Sequence, residues 1–72
     1  MQFDYREFYI DASPRDEGGR YYARAKIYRR ALVDGDAVEV KYSGDLGQYP
    51  SDADAIEAAQ HWAIQWCDNR SG

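Results

Sequence analysis

The sequence predicts an α+β domain: a three-stranded antiparallel sheet covered on one face by a single C-terminal helix, in the order β-β-β-α across residues 1–72. Three observations predict it. Three segments in the first two thirds alternate apolar and polar residues with a period of two. Turn-forming residues separate those segments. The last third carries alanines and aromatics at helical spacing behind a serine cap.

The first segment runs from Gln2 to Ala12. Phe3 and Tyr5 share one parity, whereas Phe8, Ile10 and Ala12 share the other. Side chains on a strand repeat their direction every second residue, so the switch requires a bulge or tight turn near Arg6-Glu7. Ser13 to Gly19 then reads as a loop, with Pro14 lacking a backbone donor and Gly18-Gly19 permitting a reversal. The second segment, Arg20 to Arg30, alternates most clearly. Tyr21, Ala23, Ala25 and Ile27 lie on one face, and Tyr22, Arg24, Lys26 and Tyr28 on the other. Asp34-Gly35-Asp36 is the next turn, and Ala37 to Ser43 the third strand, with Val38, Val40 and Tyr42 on its apolar side. One apolar and one charged face per strand is the pattern of an antiparallel sheet solvated on one side.

Ser43 to Pro50 leads out of the sheet. Ser51 is placed to cap a helix, with Asp54 three residues later and Asp52 and Asp54 near its positive end. The helix is expected from Asp52 to about Asn69. Ala55, Ile56, Ala59, Ala63, Trp66 and Cys67 form its buried stripe, and Trp62 lies beside it.

A chain of 72 residues accommodates one domain, and one this small buries only about 60% of its unfolded surface. An apolar fraction of 44% with 15% aromatic residues argues for a packed core despite a mean hydropathy of -0.82. The net charge of -4 works against non-specific attraction to nucleic acid. Cys67 stands alone, so no internal disulfide forms. No apolar run is long enough to span a membrane, and no basic and apolar leader pattern follows Met1. A cytoplasmic protein without a membrane association is the expectation.

No motif points to catalysis, a metal or a cofactor. Glu57 and His61 stand four residues apart, but zinc requires three or four ligands. Cys67 is six residues beyond His61, about 240° around a helix, so it joins neither a metal site nor a nucleophile–base pair with it. A small buried thiol is the simpler reading of Cys67. Gly44-Asp45-Leu46-Gly47 has neither the spacing nor the lysine of a phosphate loop. The serines lack a nucleophile-elbow setting, and no carboxylate pair is placed in a secluded pocket.

The basic cluster is more informative. Arg20, Arg24, Lys26, Arg29 and Arg30 are five of the nine Lys and Arg residues. Arg24 and Lys26 are expected on the open sheet face between Tyr22 and Tyr28. Basic and aromatic side chains interleaved on a sheet can hold nucleic acid through phosphate contacts and stacking. The competing reading is a solvated face with cross-strand ion pairs from Glu7, Asp11 or Glu39.

Tyr5 to Ile10, then Gly19 to Ala25, then Tyr49-Pro50-Ser51 leading to Ala55, Ala59, Ala63 and Trp66, give a pattern that resembles small hypothetical bacterial proteins of β-β-β-α order. The topology is similar to the N-terminal domain of the HicB antitoxin, and to three-stranded DNA-binding domains of integrases and plant ethylene-response factors. No appended DNA-binding domain of the HicB kind is expected, and the chain is acidic where the DNA readers are basic. The resemblance implies a fold and no functional residues.

The expected function is that of a non-enzymatic interaction module, binding a protein partner or a second copy through the open sheet face or a sheet edge. Tyr9, Tyr22, Arg24, Lys26 and Tyr28 form the expected surface. A nucleic-acid-binding accessory or regulatory protein using the strand-two cluster is the alternative.

Overall fold

The structure is a computed structural model and describes residues 1–30 and 37–71. Seven strands and a helix follow one another among these residues: β1 (Gln2–Tyr5), β2 (Phe8–Asp11), β3 (Arg15–Glu17), β4 (Arg20–Tyr22), β5 (Lys26–Arg30), β6 (Ala37–Tyr42), β7 (Gln48–Tyr49) and α1 (Asp52–Ser71). They build two antiparallel sheets, one ordered β1-β2-β5-β6 and the other β3-β4-β7. The expected single three-stranded sheet is therefore corrected, and with it the resemblance to β-β-β-α proteins and the HicB domain. The expected turn at Asp34-Gly35-Asp36 lies outside the described residues.

The first expected strand is a hairpin. Phe3 pairs with Ile10 and Tyr5 with Phe8, so the change of parity at Arg6-Glu7 marks a full reversal. Met1 prolongs the ladder: its ammonium donates to the Ala12 carbonyl at 2.9 Å, and the Ala12 amide donates to the Met1 carbonyl at 2.8 Å. The expected loop from Ser13 to Gly19 contains β3. It is joined to β4 by Gly18 and Gly19 at φ 60° and 84°, the left-handed values a two-residue hairpin turn requires.

The second expected strand is cut between β4 and β5. Asp11 pairs with Lys26, and four residues on along one strand and back along the other, Arg15 pairs with Tyr22. Register is thus preserved across a gap in which Pro14 has no amide to donate. On the other side, five residues (Ser43 to Gly47) oppose three (Ala23 to Ala25), tied by Ala23 N–H to Gly47 O, Leu46 N–H to Ala23 O and Ser43 N–H to Ala25 O. Gly44 at φ 68° and Gly47 at φ 135° absorb the excess length. Pro14 and this wide bulge interrupt the ladder at the same level, and two sheets result.

Phe8, Ile10 and Ala12, with Ala23, Ala25 and Ile27, face Ala55, Ala59, Ala63 and Cys67 of α1; all ten are buried. The alanines bring helix and sheet close, and Phe8, Ile10, Ile27 and Cys67 supply the largest fully buried side chains. Ile56 and Trp66, expected inside the stripe, are half-buried, and Trp66 meets Phe8 edge-on at 5.6 Å between ring centroids. The helix starts as expected: the Asp54 amide donates to Ser51 Oγ at 3.2 Å, satisfying one of the amides that lack a partner in a first turn.

The third expected strand is displaced from the core. Lys26 pairs with Tyr42 and Ile27 with Lys41, but Tyr28 pairs with Glu39, leaving Val40 as the extra residue of a bulge. Tyr42 therefore shares the outer face with Lys26, whereas Val38 shares the helix side with Arg29. Val38 is 60% exposed and Val40 40%, because β6 is an edge strand outside the footprint of α1, whose main contacts are with β2, β4 and β7.

Candidate functional site

Strand register determines what shares the sheet face turned away from the helix. Ile10 and Ile27 pair on the helix side, so the neighbouring pairs, Tyr9 with Tyr28 and Asp11 with Lys26, face outwards. The Tyr9 and Tyr28 rings lie 6.0 Å apart at an angle of 53°, within the range of aromatic pairing. Lys26 Nζ stands 5.8 Å from the centroid of the Tyr42 ring. Tyr9 and Tyr28 are half-buried, whereas Lys26 and Tyr42 are exposed. Tyr42, which alternation places with Val38 and Val40 on the apolar side of the strand, belongs instead to this surface; the bulge at Val40, which moves it outwards, has no sequence signature here.

Tyr22 and Arg24 are on the same side of their segment but are held differently. The Tyr22 hydroxyl accepts a bond from Gln48 Nε2 at 2.8 Å, fixing it to β7 in the smaller sheet. Arg24 Nε donates to Asp45 Oδ1 at 2.6 Å and is paired with it. Glu7, Asp11 and Glu39 were the acidic residues expected to pair with Arg24 and Lys26; Asp11 sits opposite Lys26 in the register, whereas Arg24 is paired with a turn residue from the wide bulge. Arg24, Lys26, Asp11, Ser13 and Tyr42 border one shallow depression of about 240 Å³. Asp11 Oδ1 accepts from Ser13 Oγ at 2.6 Å. Acid thus accompanies base across the depression, and the face carries mixed charge.

The reactive side chains of α1 lie apart from this face. Cys67 is buried and free, and burial, reinforced by Asp68, pushes its thiol above the usual range. That opposes formation of a thiolate. Glu57 and His61 are both exposed on α1 and border a hollow of about 640 Å³ along the helix. Among the described residues no group of three or more His, Cys, Asp or Glu is placed to hold a metal ion. No described helix is long and apolar enough to cross a membrane.

A clamp at the far end of the helix was not foreseen. The Tyr5 hydroxyl donates to Asp68 Oδ1 at 2.7 Å, and Arg6 Nε donates to the same oxygen at 2.9 Å. The bond from Tyr5, together with Arg6, holds the Asp68 carboxyl below the ordinary carboxylate range. Arg6 is the one described non-glycine residue at positive φ, 55°, so the clamp draws its cation from the β1–β2 turn itself. These three side chains join the first hairpin to the last turns of the helix.

No family model, no curated protein and no solved structure matches the chain. The fold and the surfaces described above are therefore the basis for its functional reading: a small α+β domain of two antiparallel sheets and one helix, with an aromatic patch on the sheet face opposite the helix.

Proposed function

We propose that the chain is a non-enzymatic module that binds a protein partner through the outer face of its four-stranded sheet. The Tyr9–Tyr28 ring pair, flanked by Lys26 on Tyr42, is the observation that carries this reading. Tyrosines combine large apolar area with a polar tip and few rotatable bonds, which suits them to anchor an interface. The bulge in β6 favours the face over that edge: it puts Val38 and Tyr42 on opposite sides, so one added strand cannot match the whole of β6 in a single register. The pairing of Arg24 with Asp45 and of Arg15 with Glu17, and the placement of Asp11 opposite Lys26, favour protein over nucleic acid.

The test compares the full chain with its Tyr9→Ala, Tyr28→Ala double variant, each used to capture partners from the native cell extract with and without nuclease. The double variant is expected to stay folded but to be less stable, losing about 0.5–1.5 kcal/mol of ring pairing together with the half-buried apolar area and strand propensity of two tyrosines. It is also expected to lose a protein that the wild type retains after nuclease treatment. Retention of every wild-type partner, or loss of binding on nuclease treatment, overturns the proposal.

A further inference from the structure

The helix side of the molecule carries a second recessed surface, independent of the sheet face. Leu46 and Tyr49 stand along α1 beside Ala58, His61, Trp62 and Gln65 and border a shallow, open hollow of about 290 Å³. A second hollow, of about 640 Å³, continues from it past Glu57 to Asp54. Tyr49, Ala58 and His61 border both, so the two form one groove along the helix. Its floor is low because Ala58 presents only a methyl group where its neighbours on that face are large. Leu46, Tyr49, Ala58 and Trp62 pack against the core with their inner parts and leave their outer parts to the groove.

The charges around it have one sign. Among the described residues no Lys or Arg borders either hollow. Glu57 and Asp54 are exposed and are in none of the ion pairs among the described residues. Asp54 already sits at the positive end of the helix, which offsets part of its charge; Glu57, further along, is not so compensated. Two aromatic rings and an uncompensated carboxylate around an apolar floor are complementary to a cation on an aliphatic stem.

We propose that this groove is a docking site for a short peptide segment carrying an arginine or lysine next to an aliphatic residue. The cation lies against Glu57 and the face of Tyr49, which border the same hollow, and the aliphatic neighbour lies over Ala58 and Leu46. Cation–π contact and an exposed ion pair together make the charge worth about tenfold in affinity. The site does not involve Tyr9 or Tyr28, so its failure leaves the sheet-face reading standing, and the converse also holds.

The probe is acetyl-Leu-Arg-Leu-amide, titrated into the isotopically labelled full chain and followed by amide chemical shifts. Two controls accompany it: the same peptide with citrulline in place of arginine, and a Glu57→Gln variant of the protein. Shifts are expected at Tyr49, Ala58, His61 and Trp62, with about tenfold weaker binding of the citrulline peptide and a few-fold weaker binding by Glu57→Gln. Glu57 is an exposed helix residue, so the variant retains the fold, and the citrulline peptide tests the charge with the protein unaltered. Absence of shifts, shifts centred elsewhere, or equal binding of the arginine and citrulline peptides overturns the proposal. The last result would mark an apolar site with no preference for charge.

Discussion

Replacing Ala59 with aspartate tests the helix–sheet interface at its centre. Ala59 is fully buried, and no buried polar or charged side chain exists among the described residues to meet a new carboxylate. A carboxyl forced into such a site stays neutral by raising its pKa, which at pH 7 costs at most about 4 kcal/mol (the interval from about 3.9 to 7 at about 1.36 kcal/mol per unit), and fitting the larger side chain into the packed layer adds about 1–3 kcal/mol. A chain of 72 residues has a total stability of only about 4–11 kcal/mol at typical values per residue. The Ala59→Asp chain should therefore be largely unfolded at pH 7. The sign of its pH dependence follows from linkage. A carboxyl whose folded pKa lies above the unfolded one costs least when protonated in both states, and the penalty grows as pH rises past about 3.9. Ala59→Asn has nearly the same volume and no titration, so it separates charge from size. Thermal melting by circular dichroism at pH 4 and pH 7, each against wild type, provides the comparison. Near-wild-type melting of Ala59→Asp at pH 7, or a deficit identical to that of Ala59→Asn at both pH values, would refute the assignment of this helix face.

The clamp and the thiol yield two further expectations. Asp68 has a folded pKa below its unfolded one, so its contribution is present above the ordinary carboxylate range and is lost as pH falls through the folded value. Asp68→Asn should be less stable than wild type at pH 7 and converge with it in strong acid; a deficit constant down to pH 2 would show that the charge is not what matters. Cys67, buried and with its thiol pushed up, should react slowly with a thiol reagent in native buffer and quickly in denaturant, and rapid native labelling would contradict its burial.

What was legible in the sequence is what depends on local periodicity. The alternation of Ala23, Ala25 and Ile27 against Arg24, Lys26 and Tyr28 follows from the pleat, and the four-residue spacing of Ala55, Ala59, Ala63 and Cys67 from the helical repeat. The missed features depend on long-range partners. Tyr5-Arg6-Glu7-Phe8 contains none of the residues favoured in a two-residue hairpin turn, and Arg6 reaches positive φ where its side chain meets Asp68, 62 residues away. β3 is polar and exposed throughout, so it had no apolar pattern to announce it; the glycine pair after it was its only mark. Val38 and Val40 alternate as core residues do, yet edge position and a bulge expose them. The tyrosine patch was half legible: parity placed Tyr9 and Tyr28 on outward faces, but their contact depends on a register that only pairing fixes.

Thinness links this architecture to its proposed use. The Cα extents are 41 × 25 × 16 Å, and a single apolar layer lies between sheet and helix. In such a two-layer domain, half of every strand and helix faces away from the core by geometry alone. With alanines filling much of the layer, helix and sheet sit close, and few side chains provide the packing. Attachments at the helix ends then matter more than in a thicker domain: Ser51 caps the first turn, and the Tyr5-Arg6-Asp68 clamp secures the last turns. Neither attachment uses Tyr9, Tyr28 or Glu57. Substitutions at those residues therefore remove the proposed recognition chemistry and leave these two supports of the fold in place, which lets the sheet face and the helix groove be tested separately in the same chain.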